Sequence, residues 1–137
     1  MEIPSDLPQP PASREENTWA LAAHLSAPVG GILLANLAVP IGYLLGPLLV
    51  WLLKRDRSDF IGAHAREALN AGISYTLYAI PLGLIGFVLS LTIILFPVVV
   101  IAGIGLAILY FYWVIRAAIA ANQGGFYRYP FNLRLIR

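Results

Sequence analysis

Residues 64 to 70 read His-Ala-Arg-Glu-Ala-Leu-Asn and open an apolar run with no charged side chain until Arg116. His64 and Glu67, three residues apart, fall on one face of a helix, where an imidazole and a carboxylate can share a metal ion or act as a general base. A complete metal site needs further ligands, and the chain offers one other histidine, His24, and no cysteine. Two histidines can ligate a haem axially, but no attachment motif accompanies them. At about 100° per residue, His64, Glu67, Asn70, Ser74 and Tyr78 lie within an arc of about 120°, and Arg66 lies outside it. The balance of these observations is a polar stripe turned inward and hydrogen-bonded there, with neither catalysis nor a cofactor expected.

The elements that must position this stripe follow from composition. Of 137 residues, 59% are hydrophobic and 12% charged, and the mean hydropathy is +0.76. Those values fit an integral membrane protein of one domain and exclude an ordinary soluble one. Without cysteine there are no disulfides, thiolate metal sites or Cys nucleophiles. The opening sixteen residues hold four prolines, with Glu2 and Asp6 where a secretion signal carries positive charge. They read as a disordered tail ending near Ser13 or Asn17, either of which can cap the first helix, with Ser13 and Glu16 at capping-box spacing.

Residues 17 to 53 form a 37-residue stretch without Lys, Arg, Asp or Glu, and residues 68 to 115 form another of 48. Each exceeds the ~20 residues of one crossing. The breaks fall at Asn36 to Pro40 and at Phe96-Pro97, since proline removes a backbone donor and disfavours helix in the residue before it. The expected architecture is an all-α, polytopic bundle of four transmembrane helices over about 18–37, 40–54, 60–95 and 97–121. The second is short, so a tilted or re-entrant hairpin is its alternative. Gly124-Gly125 ends the fourth helix and a basic, aromatic tail follows over 124–137.

Charge then sets topology. Lys54, Arg55, Arg57 and Arg66 flank the middle link, Arg128, Arg134 and Arg137 follow the last helix, and the other two connections are uncharged. The positive-inside rule places both termini in the cytoplasm of a multi-pass protein of the bacterial inner membrane. Trp19, Trp51 and Trp113 fall at the same interface as anchors. Inside the bundle, His24 and Ser26 on the first helix and Arg116 and Asn122 on the fourth are the expected partners of the stripe, with an ion pair between Glu67 and Arg116. Gly42 and Gly46 have the small-xxx-small spacing of close helix packing, either within the chain or across a dimer. Gly83, Gly86, Gly103 and Gly105 suggest tight helix contacts near the outer half of the third and fourth helices, with no chemistry implied. The aromatic and basic residues from Gly125 to Phe131 fit a segment lying along lipid headgroups or docking on a partner, and nucleic acid is not an expected ligand.

Glu16-Asn17-Thr18-Trp19 with His24-Leu25-Ser26, Pro47 to Trp51 before Lys54-Arg55-Asp56, His64-x-x-Glu67-Ala68-Leu69-Asn70, and Tyr127-Arg128-Tyr129-Pro130-Phe131 together resemble a bacterial membrane family of unassigned function. That family is grouped with the four-helix Tic-twenty-like component of chloroplast protein import, and the resemblance covers about residues 15 to 134. One departure is Ala71-Gly72, where the family more often has an aromatic residue followed by Gln. The resemblance implies a four-helix membrane bundle. With no phosphate-binding loop, nucleophile elbow or zinc-protease motif, the expected function is a non-enzymatic accessory or assembly subunit. Its expected partners are membrane lipids and another integral membrane protein or a second copy. The alternative is a translocon-like conduit whose stripe lines a water-accessible path.

Overall fold

The computed structural model describes residues 11–34 and 39–136. The expected tail through residue 10, the break at 36–38 and Arg137 lie outside the described residues, as do the side chains of Val39 and Pro40. Ser13 fixes the start of the first helix: its N–H donates to Glu16 Oε2 at 2.8 Å and its hydroxyl accepts from the Glu16 N–H at 3.2 Å. This capping box satisfies two otherwise orphaned donors, so α1 runs Arg14–Leu33 and takes in a charged first turn ahead of the expected start at residue 18.

Three more helices follow, α2 (Val39–Lys54), α3 (Asp59–Ser90) and α4 (Phe96–Asn122), and no strand is present among the described residues. The expected third helix extends to residue 95, but α3 stops at Ser90. There the Ser90 and Thr92 hydroxyls donate to the carbonyls of Phe87 and Leu89 at 2.7 and 2.9 Å, local bonds that compete with helix continuation. A short turn then leads into Phe96-Pro97, with proline in the first turn of α4 where its missing N–H costs nothing. At the other end Gly124 takes φ +74° and Gly125 N–H returns to the Ala120 carbonyl at 2.9 Å, closing α4.

Close approach of α1 and α2 explains two of the glycines. A Cβ on Gly42 would collide with the Gly30 carbonyl, and one on Gly46 would lie 2.5 Å from the Ser26 carbonyl oxygen. The small-xxx-small face is therefore spent on packing within the chain. Buried residues along the seams are small: Ala20, Ala23, Ala65, Ala68, Ala117 and Ala121 are each almost fully covered. α1 packs on all three other helices, whereas α3 and α4 barely meet. The tight contacts expected at Gly83, Gly103 and Gly105 do not form, since a Cβ at any of these meets nothing within 4 Å; only Gly86 abuts a side chain, that of Val99. The outer halves of α3 and α4 expose apolar groups such as Phe87 and Ile101.

By length and composition α3 and α4 can each cross a membrane. α2, with 16 residues, is shorter than the ~20 of a perpendicular crossing. The beginnings of α1 and α3 and the ends of α2 and α4 meet at one end of the bundle. There Ser58 donates to Glu16 Oε1, Asn17 Nδ2 donates to the last carbonyl of α4 at Asn122, 3.2 Å away, and Lys54 Nζ lies 4.0 Å over the Trp19 ring. The interior small-residue seam and the charged end make separate demands on the sequence.

Two outcomes test these contacts. Gly46→Ala forces backbone apart at the α1–α2 seam and should lower stability by about 1–3 kcal/mol, read as the midpoint of detergent-denaturant unfolding, while Gly103→Ala should leave that midpoint unchanged or raised. The Ser58 hydroxyl, with the Ser13 backbone and side chain, holds the Glu16 carboxyl below its ordinary value of 4.5. Its contribution is therefore present above the ordinary carboxylate range and is lost as the pH falls through and below it. A thermal midpoint that falls between pH 5 and pH 3 less steeply in Glu16→Gln than in the parent chain is the expected result.

Candidate functional site

α3 is amphipathic in an unusual place: its first half carries His64, Glu67, Asn70 and Ser74, all buried. In an apolar surround each such group needs a partner, because an unsatisfied polar atom costs about 1–3 kcal/mol. Most of the partners come from residues 126–136, which leave α4 through Gly124-Gly125, turn at Pro130-Phe131 and lie along α3. Phe131 adopts φ +58°, and proline followed by a left-handed residue is the pattern of a type II turn. A left-handed phenylalanine is strained. Its carbonyl accepts from the Tyr78 hydroxyl at 3.2 Å and its ring sits 6.3 Å from that of Trp113, so contacts on both sides hold the turn.

The contacts run in order along the stripe. Glu67 Oε1 accepts from Tyr129 N–H at 3.0 Å, Asn132 Nδ2 at 3.1 Å and Arg134 Nη2 at 3.3 Å. Ser74 accepts from Leu133 N–H at 2.7 Å, and its own hydroxyl lies 2.8 Å from the Asn70 carbonyl and 2.9 Å from Asn132 Oδ1. Asn70 reads the backbone of Ile136 at two points, Nδ2 donating to its carbonyl and Oδ1 accepting from its N–H, each at 2.8 Å. Side chains of a helix thus satisfy an extended segment much as a neighbouring strand would.

The two histidines form a second buried group. His24 Nε2 and His64 Nδ1 are 2.9 Å apart, and His24 Nδ1 lies 3.0 Å from the Tyr129 hydroxyl. One proton lies between the rings, and whichever nitrogen carries it fixes the direction of the bond to Tyr129. Iron held between them on opposite faces of a haem would need the nitrogens ~4 Å apart, twice a metal–nitrogen bond. Glu67 faces the C-terminal segment, and among the described residues no three His, Asp or Glu side chains converge on a metal position. Burial of Tyr129, reinforced by neighbouring Tyr110 and Glu67, pushes its phenol well above the usual range, so the ring acts as a neutral hydrogen-bonding group.

Placement of the other expected residues is mixed. His24 lies against His64, but Ser26 bonds its own helix at the Ala23 carbonyl. Asn122 meets Asn17 through its backbone. Arg116 is not part of the interior column: it is exposed, 6.0 Å over the Tyr112 ring, and the carboxylate of Glu67 pairs with Arg134 in its place. The physical reason is position, since Arg116 points off the outer face of α4 while Arg134 is carried back onto α3 by the turn at Phe131. Sequence reasoning also missed a tyrosine cluster at the junction of α2, α3 and α4. The rings of Tyr43, Tyr75 and Tyr110 are mutually 4.6–5.4 Å apart. Ser74 bonds the C-terminal segment, so the stripe lines no open channel there.

Removing acceptors from the stripe should free the C-terminal segment. In Glu67→Ala and in Asn70→Ala, trypsin should cut after Arg128 at least about tenfold faster than in the parent chain, consistent with loss of roughly 1–3 kcal/mol of contacts, and Arg116→Ala should be cut at the parental rate.

The comparisons with known proteins correct one expectation. Residues 15–136 match the magnetosome magnetite crystal formation protein family (MamF and MmsF), and not the Tic-twenty-like family suggested by the sequence motifs. No curated protein and no solved structure matches the chain. The family match takes in all four helices and the C-terminal segment laid on α3, and the chain belongs to the magnetosome magnetite crystal formation family.

Proposed function

We propose that this chain is a non-enzymatic protein of a bacterial membrane that assists magnetite crystal formation in the magnetosome. The family match over residues 15–136 carries the reading. In this reading all four helices lie in the membrane, α2 tilted because it is short, and both ends and the 54–59 link face the cytoplasm. Three features support the arrangement. The outer halves of α3 and α4 present apolar side chains on every side, as a lipid-facing hairpin does. The basic residues flanking the link gather with the start of α1 and the end of α4 at one end of the bundle. Lys54 and Arg55 also stack on Trp19 and Trp51, the pairing favoured where a helix meets headgroups.

The polar residues with chemical potential are spent on structure. Glu67, Asn70 and Ser74 hold the C-terminal segment, and His24 and His64 hold each other and Tyr129. An accessory protein of this kind works through lipid and through other membrane proteins, including a second copy. The open α3–α4 face is the surface available for that.

Two measurements test this reading. Deleting the gene from a magnetite-forming host should change the crystal size distribution, and the parent gene should restore it. A Cys placed at Ser58 should be labelled from the cytoplasmic side by a membrane-impermeant reagent. Unchanged crystals would contradict the role, and labelling of Ser58→Cys only from the opposite side would contradict the orientation.

A further inference from the structure

Beside the Glu67 contacts lies an open cleft of about 370 Å³ at the charged end of the bundle. Arg66 on α3 and Arg128 and Arg134 on the returning segment border it, with Glu67, Asn70 and the Phe126 ring. Three guanidinium groups against one carboxylate leave two positive charges in excess. The carboxylate is already engaged by Tyr129, Asn132 and Arg134. Among the described residues the side chains of Arg66 and Arg128 have no hydrogen bond or ion pair, and Arg134 spends only one nitrogen on Glu67. Like charges drawn together by the fold repel one another, and an anion between them removes that repulsion.

From this we infer that the cleft is a binding site for a phosphate group, carried on an anionic lipid headgroup or free in solution. Guanidinium forks match the oxygens of phosphate in pairs, and charge-assisted bonds of this type are about twice as strong as neutral ones. The volume is at the lower end of the ~300–1,000 Å³ of ligand pockets and exceeds what inorganic phosphate fills, leaving room for an organic substituent against Phe126 and Ile136. A neighbouring hollow of about 260 Å³ shares Arg66 but contains Asp56 and Asp59, which make it less suited to an anion. The site is assembled only when the C-terminal segment lies on α3, because Arg128 and Arg134 reach the cleft in no other way.

Binding of dioctanoyl phosphatidylglycerol, dioctanoyl phosphatidylcholine and inorganic phosphate to the full-length protein in neutral detergent tests the inference. The phosphatidylglycerol should bind saturably and at least about tenfold more tightly than the phosphatidylcholine. Arg66→Gln and Arg128→Gln should each weaken it about five- to twentyfold, while Lys54→Gln, at the same end but away from the cleft, leaves it unchanged. Competition by inorganic phosphate would identify the phosphate group alone as the ligand, and binding of the lipid without such competition would identify the headgroup; both sustain the inference. Equal binding of the two lipids with no phosphate binding would overturn it. So would an equal loss in Lys54→Gln, which would mark diffuse surface charge. If a Gln variant does not fold, Arg66→Lys and Arg128→Lys keep the charge but lose the fork and should weaken phosphatidylglycerol binding by less than the five- to twentyfold expected of the Gln variants, and the parent protein's preference between the two lipids decides on its own.

Discussion

The structure depends on one constraint: the first half of α3 carries buried polar atoms in an apolar surround, and each calls for a partner, which the side chains of the column find except at His64 Nε2. Water cannot reach most of this column, so each unmet group would cost a sizeable fraction of the fold's stability. The chain answers with its own last residues. Asn70, Ser74 and Glu67 engage three backbone N–H groups of the returning segment, at Ile136, Leu133 and Tyr129. The dependence is mutual, since an extended segment with no neighbouring strand must find acceptors for its own N–H groups.

From that constraint the other features take their places. α3 must be longer than α1 and α2 because its lower half packs in the bundle while its upper half extends past it with α4. Gly124 must adopt a left-handed conformation so that the chain reverses onto α3. Phe131 takes the same left-handed region, which is strained for a residue with a Cβ, and is held there by Tyr78 and Trp113. The histidine pair sits beneath Tyr129, so the column joins α1 to α3 and both to the C-terminal segment. The close seam between α1 and α2 leaves α3 as the element that most polar contacts of the column share.

Much of this was legible in the residues and some was not. The four helices followed from two charge-free stretches and the prolines at their breaks, a signal long enough to outweigh local ambiguity. The inward face of α3 was legible because His64, Glu67, Asn70 and Ser74 keep helical spacing. The partner of Glu67 was not, because Arg134 is separated from it by 67 residues and no periodicity links a helix to an extended segment. Arg116 looked suitable only because it is the first charge after a long apolar stretch, and charge alone does not give the side of a helix. The Gly83, Gly103 and Gly105 pattern suggested contact where these positions face open space, since small residues permit close approach without requiring it. The motif-level likeness to the import family led to the wrong family, for short polar motifs at helix ends recur wherever helices meet an interface.

Hydrogen exchange at the amides of Tyr129, Leu133 and Ile136 tests most directly whether the C-terminal segment closes the polar column of α3. If it does, all three amides exchange orders of magnitude more slowly than an unstructured segment, and Asn70→Ala with Ser74→Ala releases the protection of Leu133 and Ile136 together. Exchange of these amides at the rate of a free peptide in the parent protein would contradict the closure and return the buried groups of α3 to the search for another partner.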